Sequence, residues 1–188
     1  MNAILLGPPG AGKGTQAERL CRSEALLHLS TGDLLRAAVA QGTDLGREAT
    51  AFLDRGALVP DALVLALLEQ PLAGRAAGEG FLLDGFPRNV SQAKALDEVL
   101  GEDALDHVIH LQLDDEEILR RLLERGRPDD SEEVVRNRLV VYRAETEPLV
   151  RYYADRGLLR AVDARGSIDE VEERVHSAIG AASGPVRA

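Results

Sequence analysis

Gly7-Pro8-Pro9-Gly10-Ala11-Gly12-Lys13-Gly14-Thr15 decides how this chain folds. The apolar run Ala3-Ile4-Leu5-Leu6 precedes it, bounded by Asn2 and Gly7, and fits a short buried strand; the helix-spaced segment Thr15 to Cys21 comes after it. Strand, glycine-rich loop and helix form the context of a phosphate cradle. Glycines let successive amide N–H groups turn toward one anion, and the helix N-terminus adds positive potential at the same point. Lys13 supplies a mobile cation for outer phosphates, and the Thr15 hydroxyl can reach a phosphate oxygen or the Mg²⁺ that accompanies it. The pattern G-x-x-x-x-G-K-[ST] is not met to the letter, since Gly14 stands at the hydroxyl position and Thr15 comes one place later. A plain turn with a solvated lysine is the bland alternative, and the flanking strand and helix weigh against it.

The 188 residues suit one α/β domain. Aromatic residues make up 3% and Trp is absent, so the core has to be aliphatic. A formal charge of -10 argues against nucleic acid or a membrane surface as a partner, because either polyanion is repelled at long range. Anion sites therefore have to be local. Cys21 is the only cysteine, which excludes a disulfide framework and a cysteine metal cluster and leaves it a packing role in the first helix. The sequence opens on a strand and holds no apolar run long enough to span a bilayer, so a cytoplasmic protein is expected.

Along the chain, Leu26 to Ser30 is a second buried strand that delivers Thr31-Gly32-Asp33 to its carboxyl end. Leu34 to Gln41, Leu45 to Arg55 and Ala62 to Leu68 come next as helices with no strand between them, an insertion in βα alternation. Gly80 to Asp84 is a strand ending in a carboxylate, Ser91 to Leu100 a helix, and His107 to Leu113 a fourth strand. Asp114 to Glu117 has the pattern of a capping box at the head of a helix through Arg125. A helical stretch from Glu132 to Arg156 contains Pro148 and should kink or break there. Leu158 to Asp163 is a fifth strand and Ile168 to Ile179 a closing helix, with Gly180 as its stop and a frayed tail beyond. Five strands interleaved with helices imply an α/β fold with a parallel sheet covered on both faces.

In open α/β sheets ligands gather at the carboxyl ends of the strands. Those ends here are the phosphate loop, Thr31-Gly32-Asp33, Asp84-Gly85-Phe86-Pro87-Arg88 and Asp114. Asp84 stands where a carboxylate can hold the water shell of Mg²⁺ beside phosphates. Arg88 comes four residues later and Gln92 four beyond that, on one side of the turn entering the helix.

Gly7 to Thr15, Ser30 to Arg36, Asp84 to Asn89 and Arg127-Pro128-Asp129-Asp130, in this order and spacing, resemble adenylate kinase. The resemblance runs from the first strand to Gly166. It implies a P-loop type five-stranded parallel sheet with helices on both faces, a mobile AMP-binding flap at residues 30–59 and a very short lid at 125–131. It also implies reversible, Mg²⁺-dependent transfer of the terminal phosphoryl of ATP to AMP, giving two ADP, by a monomer serving adenine nucleotide balance. Carried over by residue, Gly10, Ala11, Gly12, Lys13, Gly14 and Thr15 would hold the ATP phosphates, Arg125 would contact ATP, and the Gly166 backbone would meet the adenine. Thr31, Arg36, the backbone of Ala57, Leu58 and Val59, then Gly85, Phe86, Pro87, Arg88 and Gln92 would hold AMP. Arg127 and Arg138 would meet the transferring phosphoryl and the AMP phosphate, and Thr15 and Asp84 would serve Mg²⁺ through water.

Gln92 bears on specificity, because its amide both donates and accepts, as an adenine edge requires, whereas similar pyrimidine kinases usually carry Asn there and Ala at the Thr31 position. Long members of the family insert a lid of some tens of residues, sometimes with a four-cysteine zinc site. Only Gly126, Arg127 and Pro128 separate Arg125 from Asp129 here, so the chain resembles the short type and a structural zinc is not expected. The division of labour between Arg125 and Arg127 stays open. Arg121 is open between the site and a salt-bridged helix face with Glu117, and Thr31 between AMP and a helix cap. His28, His107, His110 and His176 show no ligand spacing, which favours structural roles.

Overall fold

The computed structural model describes residues 1–101, 103–125 and 131–180, with the backbone alone at Arg125. Five parallel strands form one sheet in the order β2-β3-β1-β4-β5, where β1 is Asn2–Leu6, β2 Leu27–Ser30, β3 Phe81–Asp84, β4 His107–Gln112 and β5 Leu159–Asp163. The period of two along β1 sorts its side chains: Ala3 and Leu5 join one buried cluster, Ile4 and Leu6 the other. That is why the run is apolar throughout. Helices α1 (Lys13–Glu24) and α9 (Ile168–Gly180) cover the Ala3/Leu5 face. The Ile4/Leu6 face lies under α2 (Thr31–Ala40), α3 (Asp44–Leu53), α4 (Asp61–Ala73), α5 (Val90–Leu100) and α8 (Pro148–Ala154).

From β1 the chain turns first toward β2 and β3, then returns past β1 to β4. The direction of winding reverses at β1, and the carboxyl ends of the strands open a crevice at that point. Register aligns the ends that matter: Leu5 pairs with Asp84, and Asp84 with Ser30.

Two further helices, α6 (Asp115–Arg125) and α7 (Glu132–Val141), form a small cluster of their own through Ile118, Leu122, Val135 and Leu139. Asp114 caps α6 by accepting from the Glu117 N–H at 2.9 Å. The second half of the expected capping box does not form, because the Glu117 carboxylate turns to Arg120 and Arg121 instead. Those two guanidinium groups lower its pKa to about 2.

Other differences from expectation have local causes. Helix α1 starts at Lys13, two residues before the expected Thr15, because Gly12 takes the left-handed conformation and serves as its N-cap. Helix α4 continues past Leu68 to Ala73 with Pro71 inside it, where Gly74 N–H still closes the last turn on Gln70 O. The break expected at Pro148 arrives earlier, as a π-helical turn over Tyr142–Thr146 in which Glu147 N–H donates to Tyr142 O. Proline lacks an N–H and its ring crowds the carbonyl four residues back; the wider turn absorbs both, and Pro148 becomes the first residue of α8. Cys21 is buried as expected, and burial pushes its thiol up to about 11. The tail beyond Gly180 and the lid residues 126–130 lie outside the described residues.

Helix α8 is pinned to α5 by a polar staple. Asp97 is buried and accepts from Tyr152 Oη at 2.7 Å and Arg156 Nη1 at 2.6 Å, with the Arg156 guanidinium over the Tyr152 ring.

Candidate active site

At the carboxyl end of the sheet lies a cleft of about 510 Å³, within the range of small-molecule sites. One wall is the glycine loop: Gly10, Gly12, Lys13, Gly14 and Thr15 line it. Gly10 and Gly12 both have positive φ, and at Gly10 a Cβ would also lie 2.9 Å from Leu122 Cγ, so the loop rests on α6 with no room for a side chain. The Lys13 ammonium bends back over this loop and donates to Gly7 O at 2.8 Å and Pro8 O at 2.9 Å. Ala11, also expected in the cradle, is buried beneath it.

Opposite stand Arg36, Ala57, Leu58, Gly85, Pro87, Arg88 and Arg138, with Asp84 at the floor. Asp84 is 8% exposed, and its Oδ2 would lie 3.7 Å from a Cβ at Gly14, which sets the carboxylate beside the first turn of α1. Arg88 is fixed by its own backbone surroundings. Its Nε donates to Gly85 O at 2.8 Å, its N–H donates to Gln92 Oε1 at 2.7 Å, and its carbonyl accepts from Thr146 Oγ1 at 2.8 Å. Burial lowers the Arg88 pKa; Asp84 opposes this, and the like charges of Arg138 and Arg36 add to the lowering. Three guanidinium groups thus share one field around a carboxylate. Arg36 Nη2 meets Asp33 Oδ1 at 2.5 Å, and the Arg138 stem packs where a Cβ on Gly56 would lie 3.0 Å from its Cγ.

Several expected residues sit behind the wall rather than on it. Thr31, Val59, Phe86 and Gln92 are buried. Thr31 lies at the head of α2, but the cap is Ser30, whose Oγ accepts from Asp33 N–H; Thr31 Oγ1 donates instead to Asp84 O at 3.3 Å. Gln92 is held at both ends, by Arg88 N–H and by Asp61, to which its Nε2 donates at 2.6 Å. Gly166 lies on the loop between β5 and α9 and does not line the cleft. Arg121 does line it, and also pairs with Glu117 and donates to Ala164 O at 3.1 Å, so the salt-bridged face and the cleft coincide. The Arg125 side chain and Arg127 fall outside the described residues.

Tyr142 and Thr146 line the cleft without having been expected. Both belong to the π-helical turn, whose register a helical reading of the sequence does not supply. Asp33 and Glu18 line it as well, carboxylates in a basic cleft: Asp33 belongs to the Thr31-Gly32-Asp33 strand end without having been assigned a role, and Glu18 has no motif to mark it. His110, within β4, is buried with Nε2 3.2 Å from Tyr142 Oη. Burial, then the Lys13 charge, lowers its pKa from 6.5.

A histidine held below its ordinary pKa binds fewer protons folded than unfolded, so the stability tied to it is present above about pH 6.5 and lost as pH falls toward the folded value. Urea midpoints measured at about pH 7.5 and about pH 5.5 should drop on acidification, and His110→Gln should shrink the drop. His107, lowered by burial and Arg160, accounts for part of what remains. An undiminished drop in the variant would contradict this account of His110.

A family model described as adenylate kinase matches residues 5–158. Among curated relatives, adenylate kinase of Parasynechococcus marenigrum (strain WH8102) is 56% identical over 174 residues, covering 92% of this chain and 94% of that one. Adenylate kinase of Synechococcus sp. (strain WH7803) is 54% identical over 178 residues, covering 94% and 97%. Adenylate kinase of Thermobifida fusca (strain YX) is 51% identical over 185 residues, covering 95% and 98%.

Proposed function

The chain belongs to the adenylate kinase family and moves the terminal phosphoryl group of ATP to AMP, giving ADP; from that premise we propose that its cleft seats the two nucleotides end to end. ATP phosphates lie over Gly10 to Thr15 with the adenine toward the loop at Gly166. AMP lies against Thr31, Arg36, the backbone of Ala57 to Val59, Gly85 to Arg88 and Gln92, under a flap formed by residues 30–59. Arg125 and Arg127, in the segment 125–131, serve the phosphates. The observation that carries the reading is the convergence of Lys13, Arg36, Arg88 and Arg138 on one cleft around Asp84.

The attacking atom is an AMP phosphate oxygen whose last proton has a pKa near 6, so it is mostly ionised at neutral pH and no general base is needed. Repulsion is the obstacle. ATP and AMP carry roughly -4 and -2, and like unit charges about 4 Å apart cost about 4 kcal/mol per pair at an effective dielectric near 20. Lys13 and the arginines offset that charge, and guanidinium forks bind two phosphate oxygens at once, so they both orient and stabilise the group in flight. The Asp84 carboxylate beside the first turn of α1, with Thr15 on the same wall, fits a Mg²⁺ held by the phosphates and reached from Asp84 through water. Bound there, the ion would neutralise phosphate charge. Among the described residues no group of three His, Cys, Asp or Glu could hold a metal ion.

The reading extends to a monomer working in the cytoplasm. None of the helices among the described residues is long and apolar enough to cross a membrane. A coupled assay of ADP formed from ATP with AMP, CMP or UMP, with and without Mg²⁺, tests acceptor and metal together. AMP should be the preferred acceptor and chelation should abolish turnover. Preference for UMP, or full activity after chelation, would overturn the corresponding part.

A further inference from the structure

Asp61 opens α4, two residues beyond the inserted segment that ends at Val59, and Gln92 stands in the first turn of α5. The 2.6 Å bond between them joins the far end of the insertion to the helix that comes after Arg88. Gln92 is 2% exposed, and each end of its amide has a partner of one fixed polarity. Arg88 N–H can only donate, so it holds Oε1; a carboxylate can only accept, so it holds Nε2. Turning the amide over would set NH₂ against N–H and oxygen against carboxylate, two mismatches in a buried place.

An amide has two donor hydrogens and two acceptor lone pairs, so after these bonds one of each remains. A fixed acceptor beside a fixed donor complements adenine, which offers a donor at N6 and an acceptor at N1. A 6-oxopurine offers the reverse, an acceptor at O6 and a donor at N1. We propose that Asp61 is a positioning residue for base selection, locking the polarity of the Gln92 amide so that 6-oxopurine monophosphates are refused. This rests on Gln92 being the group that reads the acceptor base.

The consequence concerns a ratio more than a rate. Without Asp61 only the Arg88 N–H still resists reversal of the amide, so one of the two mismatches disappears. In Asp61→Ala the preference for AMP over IMP, expressed as kcat/KM, should fall about tenfold, while kcat with AMP changes less than about threefold. Asp61→Asn keeps a hydrogen bond to Gln92 but can offer it either oxygen or NH₂, so it holds the amide without fixing its polarity and should lose the preference much as the alanine variant does. Asp61→Ser, whose hydroxyl is one bond shorter, serves the same test if the alanine variant does not fold. A role confined to holding α4 against α5 would weaken AMP and IMP alike, and an unchanged ratio in Asp61→Ala or Asp61→Ser would overturn the proposal. Gln92→Leu separates the two layers of inference. If it leaves the AMP to IMP ratio intact, Gln92 does not read the base; if it collapses the ratio and the Asp61 variants do not, the base reader stands and Asp61 is not what orients it.

Discussion

Replacing Lys13 by methionine is expected to cut turnover at least about a hundredfold, close to 3 kcal/mol of lost transition-state stabilisation. The ammonium sits within the glycine loop on two backbone carbonyls, Gly7 O and Pro8 O. Methionine has similar length, no charge and no donor for those two carbonyls, so the field over the phosphates weakens and the urea midpoint reports any loss in the loop itself. The loss should appear in kcat more than in the KM for AMP, because the charge acts on a group that moves during transfer. Turnover within a few-fold of the parent chain, with an unchanged urea midpoint, would remove Lys13 from the reaction.

Arg88→Ala should produce a loss of similar size, with Arg88→Lys recovering only a small part. The main chain at this position is held from both sides, by Gln92 Oε1 on the N–H and by Thr146 Oγ1 on the carbonyl. Neither bond uses the side chain. An alanine variant therefore keeps these two main-chain anchors and loses the guanidinium together with its Nε bond to Gly85 O, so Arg88→Lys and an unchanged urea midpoint are needed to assign the loss to charge. Arg88 also shares its field with Arg138 and Arg36 and with the opposing Asp84, so the neighbours are not independent. Combining Arg88→Ala with Arg138→Ala should cost less than the product of the separate losses, since groups acting on one phosphate are not additive. Unchanged rates in Arg88→Ala would contradict its assigned role.

That the strands are five and parallel was legible in the sequence, though their order was not, because β1, β2, β3 and β4 are short apolar runs that end in turn chemistry and the glycine loop after β1 leads directly into a helix. Strand ends then point to Asp84 and Arg88 by the rule that ligands gather there. Legibility stopped where packing overrides local pattern. Nothing in Tyr142 to Thr146 announces a π-helical turn; it exists because Pro148 must be accommodated inside a continuous helix, and it carries Tyr142 and Thr146 to the cleft. The Glu117 carboxylate likewise matches a capping box in sequence, but two arginines one turn on offer stronger partners than a single N–H. Gln92 was legible as a residue and its partner was not, since Asp61 lies 31 positions away.

The wide turn before Pro148 also sets the phase of what comes after it. Each α-helical residue advances the side chains by about 100°, so if Tyr142–Thr146 closed into plain α-helix with its length unchanged, the segment after it would spin by about that angle. Leu149 and Tyr153 would swing away from the aliphatic interior, and Thr146 would lose its grip on the Arg88 carbonyl. The apparent defect is the phase correction that lets a single helical run serve the cleft at one end and the core at the other.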